Sequence, residues 1–376
     1  MKFNTHIHGL RPEDKIILAC LRHEQSLPQL DFDEDLLIHR LDYHRVTSLV
    51  TQHLVKINRL DILSAKAQVK LKEHYQINIY RNLAITYLVK KISKILGANK
   101  IETMTLKGAT FIHSFPDYAL VREMSDLDIM VKSKKLYQAL EVLSTIGLEY
   151  SKSFNSKSKL KKWYYQSRAN AITLQSKQSD IPDVMVEIHW HLFSVLNYTN
   201  WSEKDLWNRA NYCPENEVYH LDSIDALLHV CAHQCHDLQI YFYGLVDVAN
   251  ILRYWSEQID WIEVIRRAKS QRLLLHLVNI LRLSHELLNT PLPDVYITKL
   301  KSYELKAEPG YYFLQERLFQ KEYTENWSES FSILKVFRRL EYSNLWQRLG
   351  CEIKLFIPQA VRLRFNYHAM HLPSKD

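Results

Sequence analysis

The sequence predicts an α+β fold with an N-terminal helical segment, a compact middle of strands and helices, and a larger C-terminal helical domain. Three observations carry this. Apolar residues recur at helical spacing from Pro12 to about Lys100, the rhythm changes to short strand-like runs between 101 and 191, and the helical period returns after 201 and stays. That order suits a segregated α+β core better than a long parallel sheet. The expected divisions are 1–98, 99–200 and 201–376.

In the first division, Arg11-Pro12-Glu13-Asp14 reads as a helix start ahead of the apolar cluster Ile16, Ile17, Ala19, Cys20 and Leu21. Residues 34–55 carry apolar positions at Leu36, Leu37, Leu41, Val46 and Leu49. Residues 63–97 form a long periodic run for which Gly97 is the expected stop. In the second, Ile101 to Leu106 is a short β-like run. A helix is expected from Lys107-Gly108 to before Pro116, a strand over Ser125 to Val131, a helix over 134–146 ending at Gly147, and a strand from Leu148 to Ser151. Trp163 to Gln166 and Ala171 to Leu174 read as paired strands, and Val184 to His191 as a strong one. In the third, helices are expected at 221–235, 239–256, 260–269, 272–289, 303–320, 327–340 and 352–365.

Composition narrows the chemistry. With 376 residues, 47% hydrophobic and 24% charged, the chain has a globular composition and length enough for a sizeable core. Only 7 residues are glycine, against roughly 7% of an average chain. None are spaced to build a G-x-G-x-x-G turn, a G-x-x-x-x-G-K-[ST] phosphate loop or a G-x-S-x-G elbow, which excludes the standard sites of those three classes. A net charge of +7 is compatible with an anionic ligand and equally with plain solubility. Five scattered cysteines do not form a disulfide framework. The N-terminal residues Met1 to His6 have no apolar h-region, and no run of about 18 apolar residues occurs. No signal peptide, no membrane span and a cytoplasmic location are therefore expected.

The chemistry concentrates in the middle. Asp126 and Asp128 lie two apart on a predicted strand and share one face, with Leu127, Ile129 and Val131 on the other. Glu187 lies on a second strand with Met185, His189 and His191 on its face and Val184, Val186, Ile188 and Trp190 on the reverse. Paired carboxylates repel unless a cation sits between them. Three from neighbouring strands make an oxygen site suited to Mg²⁺ or Mn²⁺.

Leu106-Lys107-Gly108, then Arg122-Glu123-Met124-Ser125-Asp126-Leu127-Asp128-Ile129-Met130-Val131, then Val186-Glu187-Ile188-His189-Trp190 resembles the bacterial "uncharacterised nucleotidyltransferase" family, a branch of the polymerase-β-like superfamily. The resemblance continues through Leu228 to His233 and Gly244 to Val248, so it spans about 100–255. It implies a small mixed sheet flanked by helices, with metal bound by Asp126, Asp128 and Glu187. It places Lys107, Gly108, Arg122 and Ser125 on the nucleotide side, with Gly108 at the turn where phosphates approach backbone N–H groups. His189 is a candidate partner of the metal ligands. His233 and Asp247 are candidates for the acceptor pocket, Asp247 as a base for the acceptor hydroxyl. The implied reaction moves a nucleoside monophosphate from an NTP, ATP first among them, to a small molecule, peptide or protein side chain, and releases pyrophosphate with Mg (or Mn) as cofactor. The chain departs from the superfamily in three ways. It has Lys-Gly where Gly-Gly or Gly-Ser is usual, a longer gap from Gly108 to Asp126, and Glu where Asp is common for the third carboxylate.

Two other outcomes are carried along. One is a catalytically inactive nucleotide-binding or interaction protein on the same fold. The other is an RNA-directed enzyme that uses the basic stretch 151–162 and the C-terminal basic residues Arg338, Arg339, Arg348, Lys354, Arg362 and Arg364. Nucleic acid is the less favoured partner. Cys231, His233, Cys235 and His236 lack a second ligand pair of finger-like spacing, so zinc is not expected there. His6 and His8 have no matching strand, and Tyr241-Phe242-Tyr243 reads as core.

Overall fold

The computed structural model describes residues 10–150, 169–176, 184–193, 201–236 and 240–319. The basic stretch 151–162, the strand expected at Trp163 to Gln166, the helices expected at 327–340 and 352–365, His6, His8 and the C-terminal basic residues lie outside the described residues.

Four helices come first: α1 (Pro12–Leu21), α2 (Glu34–Tyr43), α3 (Thr47–Lys56) and α4 (Ala65–Ala98). Each start has a local cause. Pro12 fills the first turn of α1, where no N–H is needed. The Asp33 carboxylate accepts from the Leu36 N–H, and the Ser64 hydroxyl from the Ala67 N–H, capping α2 and α4. Gly97 does not stop α4. Gly97 stays inside the last turn, and Lys100 takes the left-handed conformation with φ 57°.

The middle runs β1 (Thr103–Thr105), α5 (Lys107–Ser114), α6 (Pro116–Val121), β2 (Asp126–Val131), α7 (Leu136–Ser144), β3 (Leu148–Tyr150), β4 (Ala171–Ser176) and β5 (Met185–His189). After 201 the helical period does not simply resume. A short α8 (Glu203–Arg209) leads into a hairpin, β6 (Asn211–Cys213) and β7 (Val218–His220). Strands of three residues carry too few alternations to show a period of two, which is why the sequence hides them. Among the described residues five α-helices follow: α9 (Ser223–His236), α10 (Phe242–Tyr254), α11 (Trp261–Ser270), α12 (Leu274–Leu288) and α13 (Glu304–Phe319).

Among the described residues the strands form one mixed sheet in the order β3-β4-β5-β2-β1-β7-β6. The β2–β5 and β1–β7 pairs are parallel and the other four antiparallel. β4 pairs with β3 and β5.

The sheet separates two cores. Leu127, Ile129 and Val131 of β2 join Val184, Val186, Ile188 and Trp190 in one, closed by α4 and α7. Met104 and Met130 face the other, which α1–α3 share with the C-terminal helices. The Arg22 side chain donates to the Leu287 carbonyl at 2.7 Å and Arg40 to that of Leu318 at 3.2 Å, tying the first helices to the last ones. The polar face of β2 and β5 therefore looks toward the helical half. Among the described residues no helix is long and apolar enough to cross a membrane.

Candidate active site

The parallel register of β2 and β5 sets Asp128 beside Glu187 and Met130 beside His189. Alternation along the two strands then puts Asp126, Asp128, Glu187 and His189 on one face. Ligand atoms of Asp128, Glu187 and His189 all lie within 4.8 Å of one another. Asp126 lines the same cleft one pleat away, where its Oδ1 accepts from the Ser125 hydroxyl at 3.0 Å. His189 Nε2 stands 2.8 Å from Asp128 Oδ1 and 3.3 Å from Glu187 Oε2. Its buried Nδ1 has no hydrogen-bond partner among the described residues.

Lys107 opens α5 in the left-handed region, with φ 48°. The Leu106 N–H donates to the Asp128 carbonyl at 3.1 Å, extending the β1–β2 ladder by one bond. The turn that follows delivers the Lys107 ammonium to Asp128 Oδ1 at 2.8 Å. Gly108 does not make this turn. It is there because a Cβ would fall 2.4 Å from Arg122 Nη1 and 2.7 Å from Met124 Sδ.

Arg122 donates from Nε and Nη2 to the two oxygens of Asp247 at 2.7 and 2.8 Å, and the Tyr118 hydroxyl donates to Asp247 Oδ1 at 2.5 Å. Asp247 is only 2% exposed, so its carboxylate is occupied by donors of the protein itself. On α4, Asn82 donates to the carbonyls of Ala119, Leu120 and Arg122, and Asn78 to that of Val121. These two side chains close the end of α6 and fix Arg122. Gly244 lets α9 and α10 cross closely, since a Cβ there would fall 2.1 Å from Gln234. His233 lines the cleft, and His229, one turn before it, is buried edge-on against Phe193 at 5.2 Å.

Electrostatics follows from this packing. Burial raises the Asp126 carboxyl above its usual range, and repulsion from Asp128 adds to it. Burial pushes Asp128 the same way, but Lys107 and His189 outweigh it and hold that carboxyl well below the usual range. Lys107 and His189 gain in return: despite desolvation, contact with Asp128 raises both. Burial keeps His229 neutral.

Three cleft residues escaped the sequence reading. Tyr241 and Tyr243 line it, while Phe242 between them is fully buried. The core assignment thus holds for Phe242 and Tyr243, both buried in the helical core, while Tyr241 is half-buried at the N-cap of α10, and both tyrosines also present a side to the cleft. Arg45, between α2 and α3, has φ 52°. Its guanidinium lies 5.6 and 5.8 Å from the Tyr241 and Tyr243 ring centres and donates to the Ser125 hydroxyl at 3.3 Å. A left-handed non-glycine residue is a signal of constraint, but φ is not visible in a sequence. The cleft so enclosed measures about 310 Å³. Its walls carry three cations, Arg45, Lys107 and Arg122, and four acids, Glu123, Asp126, Asp128 and Glu187.

The cleft thus combines an acidic floor on a small mixed sheet with a rim of arginine and lysine. The chain belongs to the family described as uncharacterised nucleotidyltransferase, whose sequence model matches residues 31–289. That span includes Arg45 as well as the strands and α9 to α12. Membership supports a nucleotidyl-transfer role with an NTP as substrate. No curated protein matches the chain.

Proposed function

We propose that the protein is a metal-dependent nucleotidyltransferase that moves a nucleoside monophosphate from an NTP, ATP first among them, to an acceptor and releases pyrophosphate. The observation that carries this is the convergence of Asp128, Glu187 and His189 within 4.8 Å, with Asp126 on the same face. Three carboxylates, two of them held by the His189 imidazole, are an oxygen donor set that fits Mg²⁺ or Mn²⁺. A divalent cation held there supplies positive charge to the phosphate oxygens and to the leaving pyrophosphate.

The chain's own residues supply the rest. Asp126, Asp128 and Glu187 are the metal ligands in this proposal, and His189 orients Asp128 and Glu187 through its Nε2. Arg122 and Arg45 face the cleft as partners for phosphate oxygens, held by Asp247 and by the two tyrosines respectively. Ser125 bridges Arg45 and Asp126. Gly108 leaves room for Arg122. His233 stands on the helical wall, the side from which an acceptor must enter for in-line attack. Asp247, whose carboxylate accepts from Arg122 and Tyr118, acts in this proposal as a positioning residue rather than as a base.

The test is incubation of the protein with each NTP, Mg²⁺ or Mn²⁺ and a cell extract, reading pyrophosphate release and new monophosphate adducts by mass spectrometry. Pyrophosphate release lost in Asp128→Asn supports the proposal. NTP binding without pyrophosphate release under any condition would leave a nucleotide-binding protein, and no NTP binding at all would overturn both.

A further inference from the structure

We infer that Lys107 is a built-in cation of the carboxylate cluster and takes the place of one of two divalent ions, so that the site holds a single divalent ion beside its nucleotide. The inference rests on the metal-dependent function proposed above. Two ions in such a site lie about 3.5–4 Å apart and share carboxylates. Asp128 is the carboxylate at the centre of this cluster, with its side chain 4% exposed. Its Oδ1 already meets the Lys107 ammonium at 2.8 Å and His189 Nε2 at 2.8 Å. A carboxylate oxygen has two lone-pair sites, so Oδ1 is saturated and Oδ2 alone remains for a metal.

The lysine is fixed there from both sides. Before it, the Leu106 N–H is bonded to the Asp128 carbonyl, so the two residues that flank the contact are tied through the backbone. After it, Gly108 packs so closely on Arg122 and Met124 that even a methyl group would clash. Between them Lys107 holds a left-handed φ of 48°, a conformation that only surrounding structure sustains in a residue with a side chain. Glycine takes this conformation without strain. A lysine there, aimed at the central carboxylate, places a fixed positive charge in the cluster. Its ammonium occupies the Asp128 oxygen that a second ion sharing this carboxylate would need.

The experiment counts ions on the full chain. The protein is dialysed to equilibrium against Mn²⁺ and a nonhydrolysable NTP, with manganese and nucleotide counted per chain, and the EPR spectrum is examined for a spin-coupled Mn²⁺ pair. The wild type is expected to hold one manganese per bound nucleotide and to show no coupled pair. Lys107→Met, which keeps most of the side-chain volume and frees Oδ1, is expected to hold two and to show coupling. Two ions or a coupled pair in the wild type would overturn the inference while leaving the metal-dependent function intact. One ion in both proteins would also overturn it, since Lys107 would then not limit the count. No bound manganese in the wild type would instead overturn the metal-dependent function, and this inference with it. If Lys107→Met fails to fold, Lys107→Gln supplies the same comparison, with two ions expected and one ion overturning the inference.

Discussion

Arg122 and Asp247 meet through two hydrogen bonds at 2.7 and 2.8 Å and join the segment before β2 to helix α10, 125 residues away in sequence. The pair is buried, with side chains 7% and 3% exposed, and Tyr118 completes it. It locks the strand layer that carries the acidic residues to the helical layer that faces them.

Asp247→Asn tests that role. Breaking a buried ion pair strands the other charge and costs about 3–5 kcal/mol. A large drop in melting temperature and a raised KM for the NTP are expected, with kcat per folded molecule nearly unchanged. A loss of about 10²–10⁴-fold at a normal melting temperature would place Asp247 in the chemistry as a base instead.

Asp128→Asn and Glu187→Gln are expected to lower turnover by about 10²–10³-fold, the scale of removing a preorganised charge from a transition state. Manganese binding should weaken in both. Asp128→Asn should also free Lys107 and His189, so a fall in stability accompanies it. Normal turnover in either variant, measured as pyrophosphate release, would remove that residue from the site.

Gly108→Ala places a methyl group 2.4 Å from Arg122 Nη1 and 2.7 Å from Met124 Sδ. Overpacking of this kind costs about 1–3 kcal/mol. The displaced guanidinium should raise the KM for the NTP more than it lowers kcat. Unchanged nucleotide affinity and unchanged melting temperature together would show that Arg122 accommodates the methyl without consequence.

Arg45 tests whether the N-terminal segment serves the site. A charge-assisted hydrogen bond contributes about 1.5–3 kcal/mol, so Arg45→Ala should weaken NTP binding by about 10–100-fold. Arg45→Lys keeps the charge but loses the planar contact with Tyr241 and Tyr243, so only part of the affinity should return. Calorimetric titration with a nonhydrolysable NTP reads both, and equal affinity in all three proteins would exclude Arg45 from the phosphate contacts.

His74 gives a pH dependence. Its Nε2 stands 3.4 Å from Glu123 Oε1, and the hydrogen bond to Glu123 raises its pKa above the ordinary 6.5 despite desolvation. A raised histidine stabilises the fold fully below its unfolded value and loses that contribution as pH rises through the folded one. The melting-temperature advantage of the wild type over His74→Gln should therefore be largest on the acid side of about 6.5 and shrink above it. An advantage that grows with pH would contradict the ion pair with Glu123.

Much of the fold is legible in the chain because it depends on short-range order. The apolar reverse faces of β2 and β5 follow from alternation, and all of Leu127, Ile129, Val131, Val186 and Ile188 are buried. The long helix α4 and the helices from α9 onward follow from an apolar period near 3.6. The hairpin β6–β7 does not, because three-residue strands have no measurable period and are made by pairing with β1. Likewise Gly97 looked like a helix stop, and Lys100 supplied the left-handed residue instead.

The sequence by itself determined which residues can do chemistry here: Asp126 and Asp128 on one strand face, Glu187 and His189 on another, Lys107 and Gly108 at a strand-to-helix change. Strand alternation is a local property, so each set could be assigned to a face without knowing its neighbours. Only the tertiary structure decided which faces meet. The parallel register of β2 and β5 set Asp128 beside Glu187, and the closure of α10 on the segment before β2 claimed Asp247 for Arg122. The loop between α2 and α3 brought Arg45 to Ser125 across 80 residues. Such contacts join residues far apart in sequence, and no periodicity records them. Packing of two cores on one sheet fixes them, and that is a property of the folded chain as a whole.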